Sequence, residues 1–291
     1  MTLYGGMDQA ALDAAYNNAA AVPQSGQFVA DWLARSDKFV AECERKHLDV
    51  RYGDAERNRI DFFPAAASGS APLLVFLHGG YWQLREKERF RFPAAGPLAH
   101  GIGVAFVGYT LAPQKRLDGI VAEVRAAISW IAAHATDYGA DPQQIYLSGW
   151  SAGAHLTAMC MTEPSVKGGL AVSGIYDLEP VRLSYVNEKL KLDADEARRN
   201  SPLLNLPTRS APLTIAYGTA ELLELVRQSD EFGGAWLRAG LPGRVLALSG
   251  HNHFTILEQL ASPTGALTKA VRQLCGRGEQ KTGLTAVSHE T

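Results

Sequence analysis

A serine between two glycines offers the clearest chemistry in the sequence. Ser151 lies at the centre of G-W-S-A-G at residues 149–153, a G-x-S-x-G pattern. The apolar residues 144–148 predict a buried strand, and residues 154–161 predict a helix. A tight turn between a strand and a helix holds a serine in a strained conformation and exposes its oxygen at the helix N-terminus. The flanking elements favour a nucleophile over an ordinary Gly-Ser loop.

A second glycine-rich segment follows an earlier strand. Residues 73–77 form a continuous apolar run, typical of a strand inside a parallel sheet, and H-G-G-Y-W follows at 78–82. Glycines allow backbone N–H groups to turn toward a substrate oxygen. We expect the amides of Gly80 and Ala152 to form an oxyanion hole, with Gly79 supporting the turn or donating as well. The alternative is a simple turn at the end of a strand.

A general base should follow the last strand, where the segment 248–254 supplies His251 and His253. We favour His253, since it directly precedes a predicted helix that begins at Phe254. The His-x-His spacing also fits part of a metal site, but no third ligand is apparent nearby in the sequence. We therefore predict a site without metal or organic cofactor.

A carboxylate should orient this base, and Glu221 lies in the loop after the preceding predicted strand. The chain order serine, acid, histidine is one of the known orders for this type of catalytic site. Asp177, at the end of another strand, is the alternative acid, although capping of the turn that follows it explains it better. Glu224 is close in sequence and stays open as a third candidate.

Five aromatic residues occupy predicted loop or elbow positions near the serine, and they could form a flat, apolar substrate pocket. The alternative for each ring is packing in the core. These candidates are Tyr81, Trp82, Trp150, Tyr176 and Phe254.

The elements that must position these residues alternate between strands and helices, which predicts an α/β fold with a largely parallel, doubly wound sheet of eight strands. Residues 48–52 and 59–63 alternate in polarity and predict an antiparallel hairpin before the parallel strands. Longer helices are expected at 85–100 and 256–274.

Three segments lie outside this alternation. Residues 1–46 are expected to form a helical segment packed on the main domain, which spans 47–275. Residues 176–211 hold short helical pieces and three prolines, and they predict a lid-like insertion after the sixth strand. Residues 276–291 are polar and small, which predicts a disordered tail.

The composition restricts the partners. The 291 residues are 46% hydrophobic and carry a net charge of −2, so neither nucleic acid nor an anionic membrane is an expected partner. Three scattered cysteines indicate reduced thiols, and the N-terminus has neither a basic segment nor an apolar run that would indicate secretion. We expect a cytoplasmic enzyme whose partner is a small-molecule substrate, and a homodimer is left open.

The sequence resembles the arylformamidase (kynurenine formamidase) branch of the α/β-hydrolases, which is related to hormone-sensitive-lipase-type esterases. The similarity extends from about residue 16 to 274, and its most specific motifs are H-G-G-Y-W-Q at 78–83, G-W-S-A-G-A-H-L at 149–156, S-G-I-Y-D-L-E-P at 173–180, N-S-P at 200–202 and R-Q-S at 227–229.

The resemblance implies an α/β-hydrolase fold in which Ser151 is the nucleophile and His253 the base. Glu221 takes the acid position, where animal members usually carry aspartate, and Trp150 replaces a histidine that is frequent before the family's serine. The implied reaction is acyl transfer from an aromatic amide, with N-formylkynurenine as the leading substrate. A carboxylesterase for short acyl or aryl esters is the alternative, and a non-catalytic binding protein on the same fold is a third possibility.

Overall fold

The computed structural model describes residues 2–65 and 71–277. Eight strands form one sheet in the order β1-β2-β4-β3-β5-β6-β7-β8. The strands are β1 His47–Arg51, β2 Arg59–Phe63, β3 Ala71–Leu77, β4 Gly103–Val107, β5 Ala140–Trp150, β6 Val166–Val172, β7 Leu213–Gly218 and β8 Gly243–Leu248. Strands β3 to β8 pair in parallel, whereas β1 and β2 form the predicted antiparallel hairpin and β2 joins β4 in antiparallel orientation.

Helices cover both faces of the sheet. The longer ones are α3 Ser25–Glu42, α5 Leu117–His134, α6 Ala152–Met159, α10 Leu223–Arg238 and α12 Ala266–Leu274. The shorter ones are α1 Gln9–Ala15, α2 Asn18–Ala21, α4 Ala95–Leu98, α7 Glu179–Leu183, α8 Asn187–Leu190, α9 Ala194–Arg199 and α11 Glu258–Ala261. Short 3₁₀ helices add Lys87–Phe90, Phe92–Ala94, Ala135–Tyr138 and Thr255–Leu257.

The central strand β3 shows why its sequence is continuously apolar. Successive side chains in a strand point to opposite faces, and both faces of β3 are buried. Leu73, Val75 and Leu77 join the core beneath α5 and α10, whereas Leu74 and Phe76 join the core beneath α3 and α12. The two cores hold the carboxyl ends of the parallel strands at one edge of the sheet.

Two helices expected from the sequence are interrupted. The segment 85–100 forms two short 3₁₀ helices and α4, because Pro93 and Pro97 lack the N–H that a continuous helix needs. The segment 256–274 breaks between α11 and α12, where Pro263 and Gly265 occur. A Cβ on Gly265 would lie 2.2 Å from the carbonyl oxygen of Gln259, so the chain turns where only glycine fits.

The N-terminal segment contacts the insertion after β6. The Tyr4 hydroxyl donates a hydrogen bond of 2.7 Å to Asp177 Oδ2, and the Tyr185 N–H donates one of 2.7 Å to Asp13 Oδ1. The insertion contains α7, α8 and α9, which correspond to the short helical pieces expected from the sequence. Most of the tail that was predicted to be disordered (278–291) lies outside the described residues. Across ranges 2–65 and 71–277, no helix is long and apolar enough to cross a membrane.

Candidate active site

Ser151 lies at the turn between β5 and α6 with φ 58° and ψ −120°, an unusual conformation for a residue other than glycine. The two flanking glycines make this turn sterically feasible. A Cβ on Gly149 would lie 2.2 Å from the carbonyl oxygen of Gly153, and a Cβ on Gly153 would lie 1.9 Å from that of Leu77. The Ser151 N–H donates to the Val172 carbonyl at 2.8 Å, which ties the turn to the end of β6.

His253 and Glu221 form a buried pair beside this turn. The His253 Nδ1–H donates to Glu221 Oε2 at 2.8 Å, and neither side chain is more than 4% exposed. This contact leaves His253 Nε2 as the nitrogen that can accept a proton. Within the part of the chain that the structure describes, the Ser151 hydroxyl forms no hydrogen bond, and such contacts often tighten only when substrate binds.

Two further donors hold the Glu221 carboxylate. Its Oε1 accepts from the Ser173 hydroxyl at 2.6 Å and from the Gly218 N–H at 2.7 Å. Each carboxylate oxygen is therefore engaged in a hydrogen bond, and no arginine or lysine among the described residues pairs with it. Ser173 also has a positive φ of 55°, so this donor is held at a strained backbone position after β6.

The alternative acids are engaged elsewhere, and the alternative base does not line the cavity of Ser151. Asp177 accepts from the Tyr4 hydroxyl and caps the next turn through the Glu179 N–H, the role expected from the sequence. Glu224 accepts from the Tyr16 hydroxyl at 2.8 Å and pairs with Arg227. Of the two histidines after β8, His253 contacts the acid and lines the cavity of Ser151, whereas His251 does neither.

The described residues contain no group of three or more His, Cys, Asp or Glu side chains arranged to hold a metal ion. The His-x-His spacing therefore has no third ligand within ranges 2–65 and 71–277. All three cysteines are free thiols in the structure.

The glycine loop after β3 lies against the turn that carries Ser151. Gly80 has φ +117°, a conformation that other residues rarely adopt, and a Cβ on Gly79 would lie 2.5 Å from the Trp150 ring. Among the described residues, no acceptor takes the N–H of Gly80 or that of Ala152. These amides are available for a substrate oxygen, and Gly79 allows the close approach between the two loops.

A cavity of about 120 Å³ opens above Ser151. Three of the predicted aromatic residues line it, namely Tyr81, Trp150 and Phe254. The other residues on its wall are Asn17, Asn18, Ala19, Gly80, Leu84, Arg85, Ser151, Tyr185 and His253. The N-terminal segment and the insertion thus both contribute to the wall, as a covering role for them would require.

Trp82 and Tyr176 were also expected in the pocket, but the structure places both in the core. The Trp82 Nε1–H donates to His155 Nδ1 at 3.2 Å, and the Tyr176 ring stacks on Phe232 with centroids 4.2 Å apart. Neither side chain is exposed. His155 donates through Nε2 to the Asn200 carbonyl, and burial lowers its pKa to about 4, so it is neutral and structural.

Trp150, at the position where the resemblance leads one to expect a histidine, holds the loop of His253. Its Nε1–H donates to the His253 carbonyl at 2.8 Å, and its ring lies 4.6 Å from the His253 ring. It also packs edge-on against Trp32 of α3 at 5.3 Å. The Trp150 side chain therefore connects the N-terminal segment, the turn of Ser151 and His253.

Several residues of the site did not follow from the sequence. Ser173 lies inside a motif used for the family resemblance, so the motif could have suggested it. Asn18, Arg85 and Tyr185 come from three distant segments without any motif, and only the folded chain brings them to the cavity.

The comparisons with known proteins identify the family of the chain. A family model described as BD-FAE matches residues 61–170. Kynurenine formamidase of Danio rerio is 37% identical over 245 residues, which cover 79% of this chain and 82% of that protein. Kynurenine formamidase of Salmo salar is 36% identical with the same coverage of both chains.

A solved structure of the carboxylesterase EstE1 from a metagenomic library superposes with a TM-score of 0.71 at 18% identity, covering 90% of this chain and 99% of that one. At this identity the likeness shows the fold alone, and the fold is that of the α/β-hydrolases. The relatives at 36–37% identity show more, since they cover most of both chains. The protein is thus a hydrolase of the α/β-hydrolase type, and it belongs to the kynurenine formamidase family.

Proposed function

We propose that this protein is a serine hydrolase that removes a formyl group from an aromatic amide such as N-formylkynurenine. The observation that carries the proposal is the joint placement of Ser151 and the Glu221–His253 pair at one cavity. The substrate comes from the named activity of the relatives from Danio rerio and Salmo salar. The runner-up is a carboxylesterase with the same catalytic residues.

In the first half of the reaction, Ser151 Oγ attacks the formyl carbon while His253 Nε2 takes the hydroxyl proton. The carbonyl oxygen becomes an oxyanion, and the free amides of Gly80 and Ala152 stabilise it by about 3 to 4 kcal/mol each. When the tetrahedral intermediate collapses, the C–N bond breaks. His253 returns its proton to the departing aromatic amine, and the formyl group stays on Ser151 as an ester.

In the second half, His253 takes a proton from water, and the resulting hydroxide attacks the formyl ester. Collapse of this second intermediate returns the proton to Ser151 Oγ and releases formate. Glu221 remains ionised throughout. It keeps the Nδ1 proton of His253 in place and stabilises the imidazolium that forms twice in the cycle.

The wall of the cavity suits an aromatic leaving group. Tyr81, Trp150 and Phe254 present rings, and Leu84 adds an aliphatic surface. Aromatic rings pack well against one another in offset or edge-to-face arrangements, which favours an aryl amine over a flexible chain. A formyl group is the smallest acyl group, and the cavity beside Ser151 is small.

Two experiments test the proposal. A fluorophosphonate probe should label Ser151 in the wild-type enzyme, with no labelling after Ser151→Ala; labelling at another residue contradicts the serine assignment. Incubation with N-formylkynurenine should release kynurenine and formate in equal amounts. If the enzyme hydrolyses aryl acetates but releases no formate from N-formylkynurenine, the carboxylesterase alternative replaces the formamidase proposal.

A further inference from the structure

Arg85 is a cation in the wall of the Ser151 cavity that forms no hydrogen bond or ion pair with the residues that the structure describes. It is half-buried, and the described residues provide neither a hydrogen-bond acceptor nor an ion pair for its guanidinium. Its contact of note is a cation–π approach of 6.0 Å to the Trp150 ring. Its stem lies beside the glycine loop, since Arg85 Cγ would be 3.2 Å from a Cβ on Gly80.

The neighbouring cations on the same segment are different. Lys87 binds Asp61 at 2.8 Å, Arg89 binds Glu86 at 2.9 Å and Arg91 contacts Asp61 as well. These three cations each pair with a carboxylate, whereas Arg85 lines a cavity whose wall contains no carboxylate. Burial lowers the pKa of Arg85 to about 10, so the side chain still carries its charge at neutral pH.

The backbone of Arg85 is held in an unusual conformation. Its φ is +75°, in the left-handed region that favours glycine, and its carbonyl accepts from Arg57 Nη2 at 2.6 Å. Strained residues of this kind persist where the surrounding structure holds them, and they cluster at ligand-binding sites. The guanidinium is thus carried by a fixed main chain.

Asn18 also lies in the wall of this cavity and has a polar atom without a partner among the described residues. Its Nδ2 donates to the Tyr81 hydroxyl at 3.1 Å, and that hydroxyl donates in turn to the Tyr16 carbonyl, which fixes the orientation of the amide. The other amide atom, Oδ1, is buried and has no partner among the described residues. A buried acceptor without a donor is costly unless a ligand supplies one.

We propose that Arg85 and Asn18 select substrates with an α-amino acid group, Arg85 binding the carboxylate and Asn18 Oδ1 accepting from the ammonium. This inference rests on the proposed function, since it assigns the residues that recognise the part of the aryl formamide remote from the reacting bond. Guanidinium groups bind carboxylates through two parallel hydrogen bonds, and a neutral amide oxygen is a suitable acceptor for an ammonium group.

The kinetic test compares N-formylkynurenine with 2-formamidoacetophenone, which has the same aryl formamide and ortho ketone but no amino acid group. A hydrogen bond to a charged group stabilises a complex more than one between neutral groups, so Arg85→Met should lower the ratio of the two kcat/KM values by about tenfold or more. Arg85→Lys should lower it less. Arg89→Met is the matched control, because its charge is already paired, and it should leave the ratio within about twofold.

The role of Asn18 is tested with the analogue of N-formylkynurenine that keeps the carboxylate but lacks the amino group. Asn18→Ala should reduce the preference for N-formylkynurenine over this analogue by about fivefold or more. An unchanged ratio in either Arg85→Met or Asn18→Ala overturns the assignment of that residue. An equally large decrease of the kcat/KM ratio in Arg89→Met would also overturn the assignment of Arg85, because a general electrostatic effect would then explain the result.

Binding separates this inference from the proposed function. In the Ser151→Ala background, the Kd of kynurenine should rise by about tenfold or more when Arg85→Met is added, while the Kd of 2-aminoacetophenone changes much less. If these Kd values behave as expected but the wild-type enzyme releases no formate, the amino acid site stands and the formamidase proposal fails. If formate is released but Arg85→Met does not change the Kd of kynurenine, the inference about the amino acid site fails and the formamidase proposal stands.

Discussion

Replacing Glu221 by glutamine should disable the enzyme while the fold remains intact. The two side chains have the same shape, so the contacts from Ser173 and Gly218 to Oε1 can persist. The second position, however, becomes an NH₂ group that faces His253 Nδ1 at about the present distance of 2.8 Å. Because NH₂ is a donor, it favours the tautomer with the proton on Nε2.

That tautomer cannot take a proton from Ser151. Selecting the wrong tautomer in a serine–histidine–carboxylate site costs about 10,000-fold in kcat, or about 5 kcal/mol of transition-state stabilisation. We expect a loss of this size for Glu221→Gln. Glu221→Asp should also be impaired, since a side chain shorter by one methylene cannot keep all three of its hydrogen bonds in place.

The assay is kcat/KM for N-formylkynurenine, with thermal unfolding to show that each variant is folded. Asp177→Asn is the matched control, because Asp177 is the rival acid and its carboxylate binds Tyr4 instead. We expect that control to stay within about threefold of wild type. If Glu221→Gln keeps more than about a tenth of the activity, or if Asp177→Asn shows the large loss, Glu221 does not orient the base.

Three other outcomes follow from the same contacts. Ser173→Ala removes a charged hydrogen bond of 2.6 Å and should lower kcat about tenfold with little change in KM; a change confined to KM would contradict a positioning role. Trp150→Phe leaves the His253 carbonyl without its donor and should lower the free energy of unfolding in urea by about 1–3 kcal/mol, whereas an unchanged value would show that this bond contributes nothing. Burial lowers the pKa of His78 and that of His155 to about 4, so both side chains take up a proton on unfolding when the pH is below the ordinary histidine pKa. The free energy of unfolding should therefore fall by about 1.4 kcal/mol per pH unit for each histidine as the pH decreases from about 6 toward 4. A free energy of unfolding that does not change over that pH range would contradict this expectation.

The sequence was most informative where a single physical requirement determines which residue type can occupy a position. The apolar run at 73–77 predicted a strand buried on both faces, and β3 is such a strand. The glycines at 149 and 153 predicted the turn of Ser151, and the structure shows that a Cβ at either position would meet a backbone oxygen. These patterns are local, so they can be interpreted without knowledge of the fold.

Side-chain direction was harder to predict. Trp82 follows the glycine loop and Tyr176 follows β6, so both are close in sequence to parts of the site, yet both rings turn into the core. Nothing in a loop sequence fixes which way a ring points. The long helices expected at 85–100 and 256–274 are interrupted for a different reason, because their prolines break the helix although the apolar spacing around them is helical.

The residues of the proposed amino acid site could not be predicted from the sequence. Asn18 begins α2 and Arg85 precedes a 3₁₀ helix, and neither segment carries a recognisable motif. Their significance comes from hydrogen bonds that neither the Arg85 guanidinium nor Asn18 Oδ1 forms with the described residues, and this is visible only when the surrounding residues are in place. Ser173 is intermediate, since its motif was noticed but its contact with Glu221 depends on how β6 and β7 pair.

The most direct test of the central claim is kcat/KM for N-formylkynurenine beside p-nitrophenyl acetate, measured for the wild-type enzyme and for Ser151→Ala. The account predicts that the formamide is preferred by orders of magnitude and that Ser151→Ala abolishes both activities. If only the ester is hydrolysed, the mechanism stands but the formamidase assignment is wrong. If Ser151→Ala retains the wild-type rate on either substrate, the nucleophile itself is wrong.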